Sequence, residues 1–441
     1  LARIDGPVVI EGSEMPDVVA LGLNPARALG YRWDADTSAW VQIPVQIDER
    51  TVVDFGSQPN NNAAAGTVGT VYGTSAIGVT ATQYADAGTW VGADADTTFD
   101  ADDELVFLAR DAGPQAPSGT GLPPDAIGFG KELEITDPTN GGVGYVYLFY
   151  GQQGVDPSAG IDHVDYDFVV DSGPYLTTYK RANGPNPESS TVTTDVYTVG
   201  FGDRWITDEW RSHDGSGVDI LDGHKNRFGF DTCGRSNATF ADAEGAFVAN
   251  IDGPVRAIRS YIGANSGPLT QRTLYFYEDR YDVVTDLRVH AIPGVMDFLD
   301  FSAAATGMAY GSSELSGTVT IDGSPDTVPA SIADWEYATG PQAVVTWVNT
   351  LETSLAWDPL DDFADQIHLD DDTPPHTECW GDGDFLGAAG VDLSTSIPNT
   401  DPRQASFHTL QSSRVVAFWP NSVNAAAWAP VWAATVAAPV T

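Results

Sequence analysis

Apolar and polar residues alternate along many short segments of this chain, and the segments are separated by Gly, Pro, Asn or Asp. Successive side chains of a strand point to opposite faces, so alternation at period two suits half-buried strands. No long stretch shows helical periodicity. The pattern predicts strands at Trp40 to Ile47, Glu104 to Ala109, Lys131 to Thr136, Tyr145 to Tyr150 and Tyr166 to Val170. Further strands are expected at Thr191 to Gly200, Arg256 to Ile262, Arg272 to Glu278, Val283 to Ile292, Ala343 to Val348 and Val415 to Trp419. Spacings of roughly 8 to 25 residues with turn formers between them fit antiparallel sandwiches. The expectation is therefore an all-β chain built as a large antiparallel β-sandwich of the supersandwich kind, with few and short helices.

The chain is long enough for this. Its 441 residues are 42% hydrophobic, which allows a full core, and 45 Gly with 28 Pro supply many turns. No internal repeat of solenoid or propeller period is visible. The stretch Gln58 to Ala85 reads as a long loop or weak strands, and Asp111 to Gly128 as a loop. The best joint is Arg181 to Ser190, with sequence RANGPNPESS. It divides an N-terminal β-sandwich module, residues 1–181, from a larger C-terminal one, residues 191–441. The tail Ala425 to Thr441 reads as a final strand or as a stub leading to a removed anchor.

Charge narrows the partners. There are 62 Asp and Glu against 20 Lys and Arg, a formal charge of −42, and the only lysines are Lys131, Lys180 and Lys225. Such a field repels nucleic acid and anionic membranes. No apolar run reaches the roughly 18 residues a membrane span needs. The chain begins at Leu1 and reads as a processed mature form. Cys233 and Cys379 are the only cysteines. In an oxidising compartment they would close one long loop, worth about 4–5 kcal/mol in the chain-entropy model; the alternative is two buried thiols. The localisation expected from these features is secreted, extracellular or at the cell surface.

Three constellations could carry chemistry. Asp100, Asp102, Asp103 and Glu104, with Asp94 and Asp96 before them, form an oxygen-rich loop of the kind Ca²⁺ takes, without the spacing of an EF-hand. Asp370, Asp371 and Asp372, flanked by His368 and His376, form a second. For both, the alternative is a solvated acidic turn. The third gathers bases unusual in so acidic a chain: His224, Lys225, Arg227, Arg256, Arg259, Tyr277, Arg280 and His290. Cleavage of a uronate polymer needs such a set. Arg256, Arg259 and Arg280 would neutralise the carboxylate, and His224, Lys225, Arg227, Tyr277 and His290 would supply base and acid. The competing reading pairs the Arg side chains with the abundant Asp and packs the Tyr side chains in a sandwich face. No G-x-S-x-G, H-E-x-x-H, P-loop or C-x-x-C-H occurs, which argues against common serine hydrolases, zincins, nucleotide enzymes and c-type haem proteins.

WVQIPVQIDER (Trp40 to Arg50), DADDELVFLARD (Asp100 to Asp111) and GPVRAIRSYIG (Gly253 to Gly263) resemble passages of secreted β-sandwich proteins related to polysaccharide lyases and to the galactose-mutarotase-like supersandwich. The resemblance implies a two-sheet sandwich with a sugar cleft, often with structural calcium. It supplies no catalytic motif that matches residue by residue. The leading expectation is an extracellular glycan-active protein whose partner is a polysaccharide or cell-surface glycan. Its sharpest form is a lyase on an acidic polysaccharide. The alternatives are a calcium-stabilised structural or adhesive surface or filament protein that associates with itself, and a carbohydrate-binding protein without chemistry.

Overall fold

The computed structural model describes residues 6–54, 80–170, 180–181, 188–202, 206–228, 244–263, 271–287, 295–353, 364–371, 385–395 and 410–440. Within them the chain is all-β and sandwich-like, and every strand pairing is antiparallel. The central element is a ten-stranded sheet. Its middle runs Glu244–Ile251, Ala257–Gly263, Gln271–Phe276, Arg280–Leu287, Leu410–Trp419, Val344–Thr353 and Glu336–Thr339 in spatial order. Two four-stranded sheets pack on it: Leu221–Phe228 with Val295–Phe301, Phe385–Leu393 and Ala364–Asp371, and Asp165–Asp167 with Ser190–Thr193, Tyr197–Phe201 and Glu209–Ser212. One continuous core fills the space between, anchored by Trp210, Trp347, Tyr197, Tyr281 and Phe418.

A smaller sandwich precedes it. Pro7–Glu11, Glu104–Leu108 and Gln46–Asp48 form one layer; Ala39–Ile43, Ala28–Asp34, Gly142–Gly151 and Ala126–Asp137 form the other. Val8, Leu105, Phe107, Leu133, Ile135, Val146 and Leu148 make its core. Val164 and Tyr166 precede the expected joint at 181–190 and already pack in the larger core.

Local chemistry explains where the strands depart from expectation. The segment Trp40 to Ile47 is two strands in different sheets, because Pro44 cannot donate to a ladder and the chain turns there. Thr191 to Gly200 is a hairpin, because Thr194 Oγ1 accepts from the amides of Val196 and Tyr197 and folds the chain back. The tail is not a strand. It forms a helix, Ala425–Ala437, whose alanines favour helix and whose Asn424 side chain caps the amide of Ala427. Trp428 and Trp432, four residues apart on one face, both meet Trp419 edge to face, at 5.6 and 6.2 Å between ring centroids. Among the described residues no helix is long and apolar enough to cross a membrane.

The helix is held by this tryptophan cluster against a bare sheet face. Trp432→Ala is expected to cost about 3–5 kcal/mol in urea unfolding, because the buried indole leaves a cavity. Trp432→Phe should restore about half of that.

Candidate functional site

The bases singled out in the sequence are located by the fold, and most of them point inward. Arg256 is 2% exposed and lies where the small sandwich meets the ten-stranded sheet. Its Nε donates to Asp48 Oδ2 at 2.8 Å and its Nη2 donates to Glu104 Oε2 at 2.5 Å. Gln46 fixes the same backbone, accepting from the amides of Val255 and Arg256 on Oε1 and donating to Arg256 O. Gly253 is required here, because a Cβ would stand 2.4 Å from Gln46 Oε1. Tyr277 is buried against this cluster, and its hydroxyl accepts from Arg256 Nη1 at 3.4 Å. Burial pushes the Glu104 carboxyl up, but the Arg256 and Arg50 guanidiniums outweigh it and hold it below the usual range. At Asp48 burial wins and the carboxyl is raised.

Arg259 is fully buried in the larger core. It donates to Glu188 Oε1 at 2.5 Å and to Tyr166 Oη at 3.0 Å, and it lies 4.1 Å over the Phe201 ring. Arg280 donates to Asp282 Oδ2 at 2.8 Å. His224 is buried, and its Nε2 donates to Asp297 Oδ1 at 2.6 Å. Ser412 Oγ donates to the other oxygen of the same carboxylate at 3.0 Å, and Arg414 pairs with it at 3.1 Å. Burial drives the His224 imidazole far below its ordinary value, so it stays neutral. Serine and histidine both spend their protons on Asp297, so no nucleophilic pair forms.

Arg256, Arg259 and His224 sit in interior networks whose partners are the buried acids Asp48, Glu104, Glu188 and Asp297. Tyr277 joins the Arg256 network, and Arg280 pairs with the half-buried Asp282. A guanidinium taken out of water is tolerated only when it is paired. Lys225 and Arg227 lie on the strand Leu221–Phe228, in register with Phe298 and Met296. His290, Cys233, Cys379 and Asp372 lie outside the described residues. Asp370 and Asp371 belong to the strand Ala364–Asp371, at an irregularity in its pairing with Phe385–Leu393.

The acidic loop before Glu104 is shaped by its own carboxylates. Asp103 accepts from the amides of Arg50 and Asp100, and Asp100 accepts from the amide of Asp102. Glu104 is committed to Arg50, Arg256 and Tyr84. Among the described residues no three His, Cys, Asp or Glu side chains form a group that could hold a metal ion. The acids still feel one another. Partial burial together with Asp103, Asp94, Asp100 and Asp96 pushes the Glu49 carboxyl up to about 7. Burial and Asp100 push Asp102 up to about 6.

A large cleft among the described residues lies elsewhere. It has a volume of about 820 Å³. One wall is apolar: Phe418 and Trp419 at the end of the strand Leu410–Trp419, then Pro420 and Val423, then Trp428 on the helix. The rim beside it is made by turns and carries Asp195, His213, Asp214, Glu278 and Asp279, with Arg110 as the single guanidinium among the described residues. Several rim groups are already oriented. His213 Nε2 is 2.9 Å from Thr198 Oγ1. The Asn421 amide donates to Asp214 Oδ2 at 2.6 Å. Glu278 pairs with Arg110, and His163 Nδ1 lies 3.1 Å from its Oε2. Burial and the nearby Arg110 lower the His163 imidazole, so it is neutral near pH 7. Trp419 is itself fixed, its Nε1 donating to Thr346 Oγ1 at 2.8 Å.

Sequence reasoning placed interest beside this cleft without finding it. Tyr277 and Arg280 flank Glu278 and Asp279 on the chain, yet the turn between two paired strands sends the acids to the rim and the others inward. The density of Trp in the tail was the available signal for the apolar wall.

No known family model matches the chain, and no curated protein does. Solved structures do align with it. The protein HI1317 aligns at a TM-score of 0.35 and 6% identity, covering 57% of this chain and 99% of its own. A provisionally assigned aldose 1-epimerase of Escherichia coli K12 aligns at 0.27 and 8% identity, covering 58% and 99%. Likeness at this level carries no argument about activity.

Two outcomes follow from the interior networks. Arg256→Ala is expected to cost about 3–5 kcal/mol of stability, because it strands the buried Asp48 and Glu104 carboxylates; chemical denaturation measures it. For Glu49 the raised value means that the fold favours the protonated acid. Its contribution is full below about pH 4.5 and is lost as pH rises through about 7. Glu49→Gln should therefore melt higher than the parent at pH 8 and equally at pH 4, and equal melting at both would contradict the assignment.

Proposed function

We propose that the protein recognises a neutral or amino-bearing glycan outside the cytoplasm, in the cleft between the Trp419–Trp428 wall and the carboxylate rim. The observation that carries this reading is the pairing of the two surfaces. The half-buried Trp428 indole offers flat apolar area to the C–H face of a sugar ring. Carboxylates of the rim accept charge-assisted hydrogen bonds from hydroxyls or an ammonium group. Apolar clefts with a few convergent polar groups are where small ligands bind.

The same rim disfavours an acidic polysaccharide. Asp195, Asp214, Glu278 and Asp279 oppose one Arg110, and the overall field is strongly negative. A lyase on uronates would need cations at the substrate carboxylate, and Arg256, Arg259 and Arg280 are occupied by internal acids. Binding of an uncharged or basic sugar needs no such neutralisation. The extracellular setting rests on the acidic, lysine-poor composition.

A panel of immobilised glycans tests the reading. Neutral or amino-sugar oligosaccharides should bind, and alginate and polygalacturonate should not, even at low salt. Trp428→Ala should weaken the binding about tenfold or more, in line with the loss of one stacked ring. Preferential binding of the uronates, or binding indifferent to Trp428→Ala, would overturn it.

A further inference from the structure

A second hollow, of about 440 Å³, lies against the small sandwich and shares no residue with the large cleft. Gln42, Asp125, Gln152 and Asp156 supply its polar lining, and Leu29 and Val155 its apolar side. Leu29 and Val155 in turn pack with the aromatic cluster of Tyr31, Tyr147 and Phe149. The polar groups are partly committed to each other. Gln42 Nε2 donates to Asp156 O at 2.6 Å, and Gln152 Nε2 donates to Asp125 Oδ1 at 3.1 Å. The Asp156 carboxylate is spent inside its own turn, accepting from Ser158 N, Ser158 Oγ and Gly160 N. These commitments leave over the side-chain oxygens of Gln42 and Gln152 and the second oxygen of Asp125 as acceptors, and one N–H of each amide as a donor.

The backbone around the hollow is strained. Asp125 and Ala159 both have positive φ, 63° and 57°, and Gly154 and Gly160 share that region. A non-glycine residue held there costs of order 1–3 kcal/mol, and such costs concentrate where a site must be shaped. Here the strain turns the two loops that carry Asp125 and Asp156 toward the same space, tied by the Gln152 amide donating to Asp125 O at 3.2 Å.

The chemistry of the lining selects the ligand. Among the described residues no Lys or Arg lines the hollow, so an anion meets no counter-charge from them. A divalent cation asks for roughly six to eight oxygens with several carboxylates, and one spare carboxylate oxygen falls short. A group that brings several O–H donors and one apolar face meets every feature. We propose that this hollow binds a neutral sugar unit, its hydroxyls donating to Gln42, Gln152 and Asp125 and its C–H face resting on Val155, which the buried Leu29 backs. The site is independent of the Trp428 cleft.

Calorimetric titration of the full chain tests it, with glucose, galactose, mannose and xylose as probes and Trp428→Ala as the parent so that the large cleft is silenced. At least one probe should bind that parent. Adding Asp125→Gly or Gln152→Leu should each weaken it about tenfold, the worth of one lost hydrogen bond to a polar ligand. Asp125→Gly keeps the left-handed backbone that glycine adopts freely, and an unchanged melting temperature shows that the loop persists. Binding that survives both substitutions, or no binding to the Trp428→Ala parent, overturns the second site. Sugar binding seen in the wild type and abolished by Trp428→Ala alone assigns the ligand to the large cleft instead.

Discussion

The structure depends on guanidinium groups buried between its layers and neutralised there by acids from other layers. Arg256 bridges Asp48 and Glu104, which belong to the small sandwich, from a position at the start of a strand in the ten-stranded sheet. Arg259, three residues further along that strand, reaches Glu188 in the larger core. Arg414 joins Asp297, and with it His224 and Ser412, between two facing sheets. Each charge would be ruinous alone in a core and is tolerable when paired and hydrogen-bonded. The networks therefore act as registers: they fit only one relative placement of the layers, where apolar contact alone would tolerate sliding.

In so acidic a chain Arg256, Arg259, Arg272, Arg280 and Arg414 are nonetheless buried. The surplus acids face solvent or shape turns, as Asp34, Asp137 and Asp156 do by accepting local amides. Withdrawing these five arginines makes the outward field more negative still. The proposed ligand suits that field, since a neutral or basic sugar needs no counter-cation beside the carboxylates of the cleft.

Much of the fold was legible in the chain. Period-two alternation located most strands, and turn formers located their ends. The departures have physical causes that lie outside that pattern. Pro44 split one segment between two sheets. Thr194 folded another into a hairpin. The tail carried helix-forming alanines around tryptophans at i and i+4, a signal that a strand reading overlooked. The site was less legible. His224 stands out by type as a base or acid, and Arg256 and Arg259 as binders of a substrate carboxylate; the chain does not show that each has a buried acid distant in sequence as its partner: Asp48 is 208 residues from Arg256 and Glu188 is 71 from Arg259. The cleft is assembled from turns at 195, 213, 278 and 420, whose proximity only the folded sheets create.

A crystal structure with a neutral oligosaccharide soaked in separates the two roles most directly. Sugar rings stacked on Trp428, with hydroxyls on the carboxylates of Glu278 or Asp214 and with Arg256 still clamped to Asp48 and Glu104, are the predicted result. Sugar bound instead along the strand Ala257–Gly263, with Arg256 or Arg259 released from its acid to meet it, would contradict the assignment of those arginines to the core.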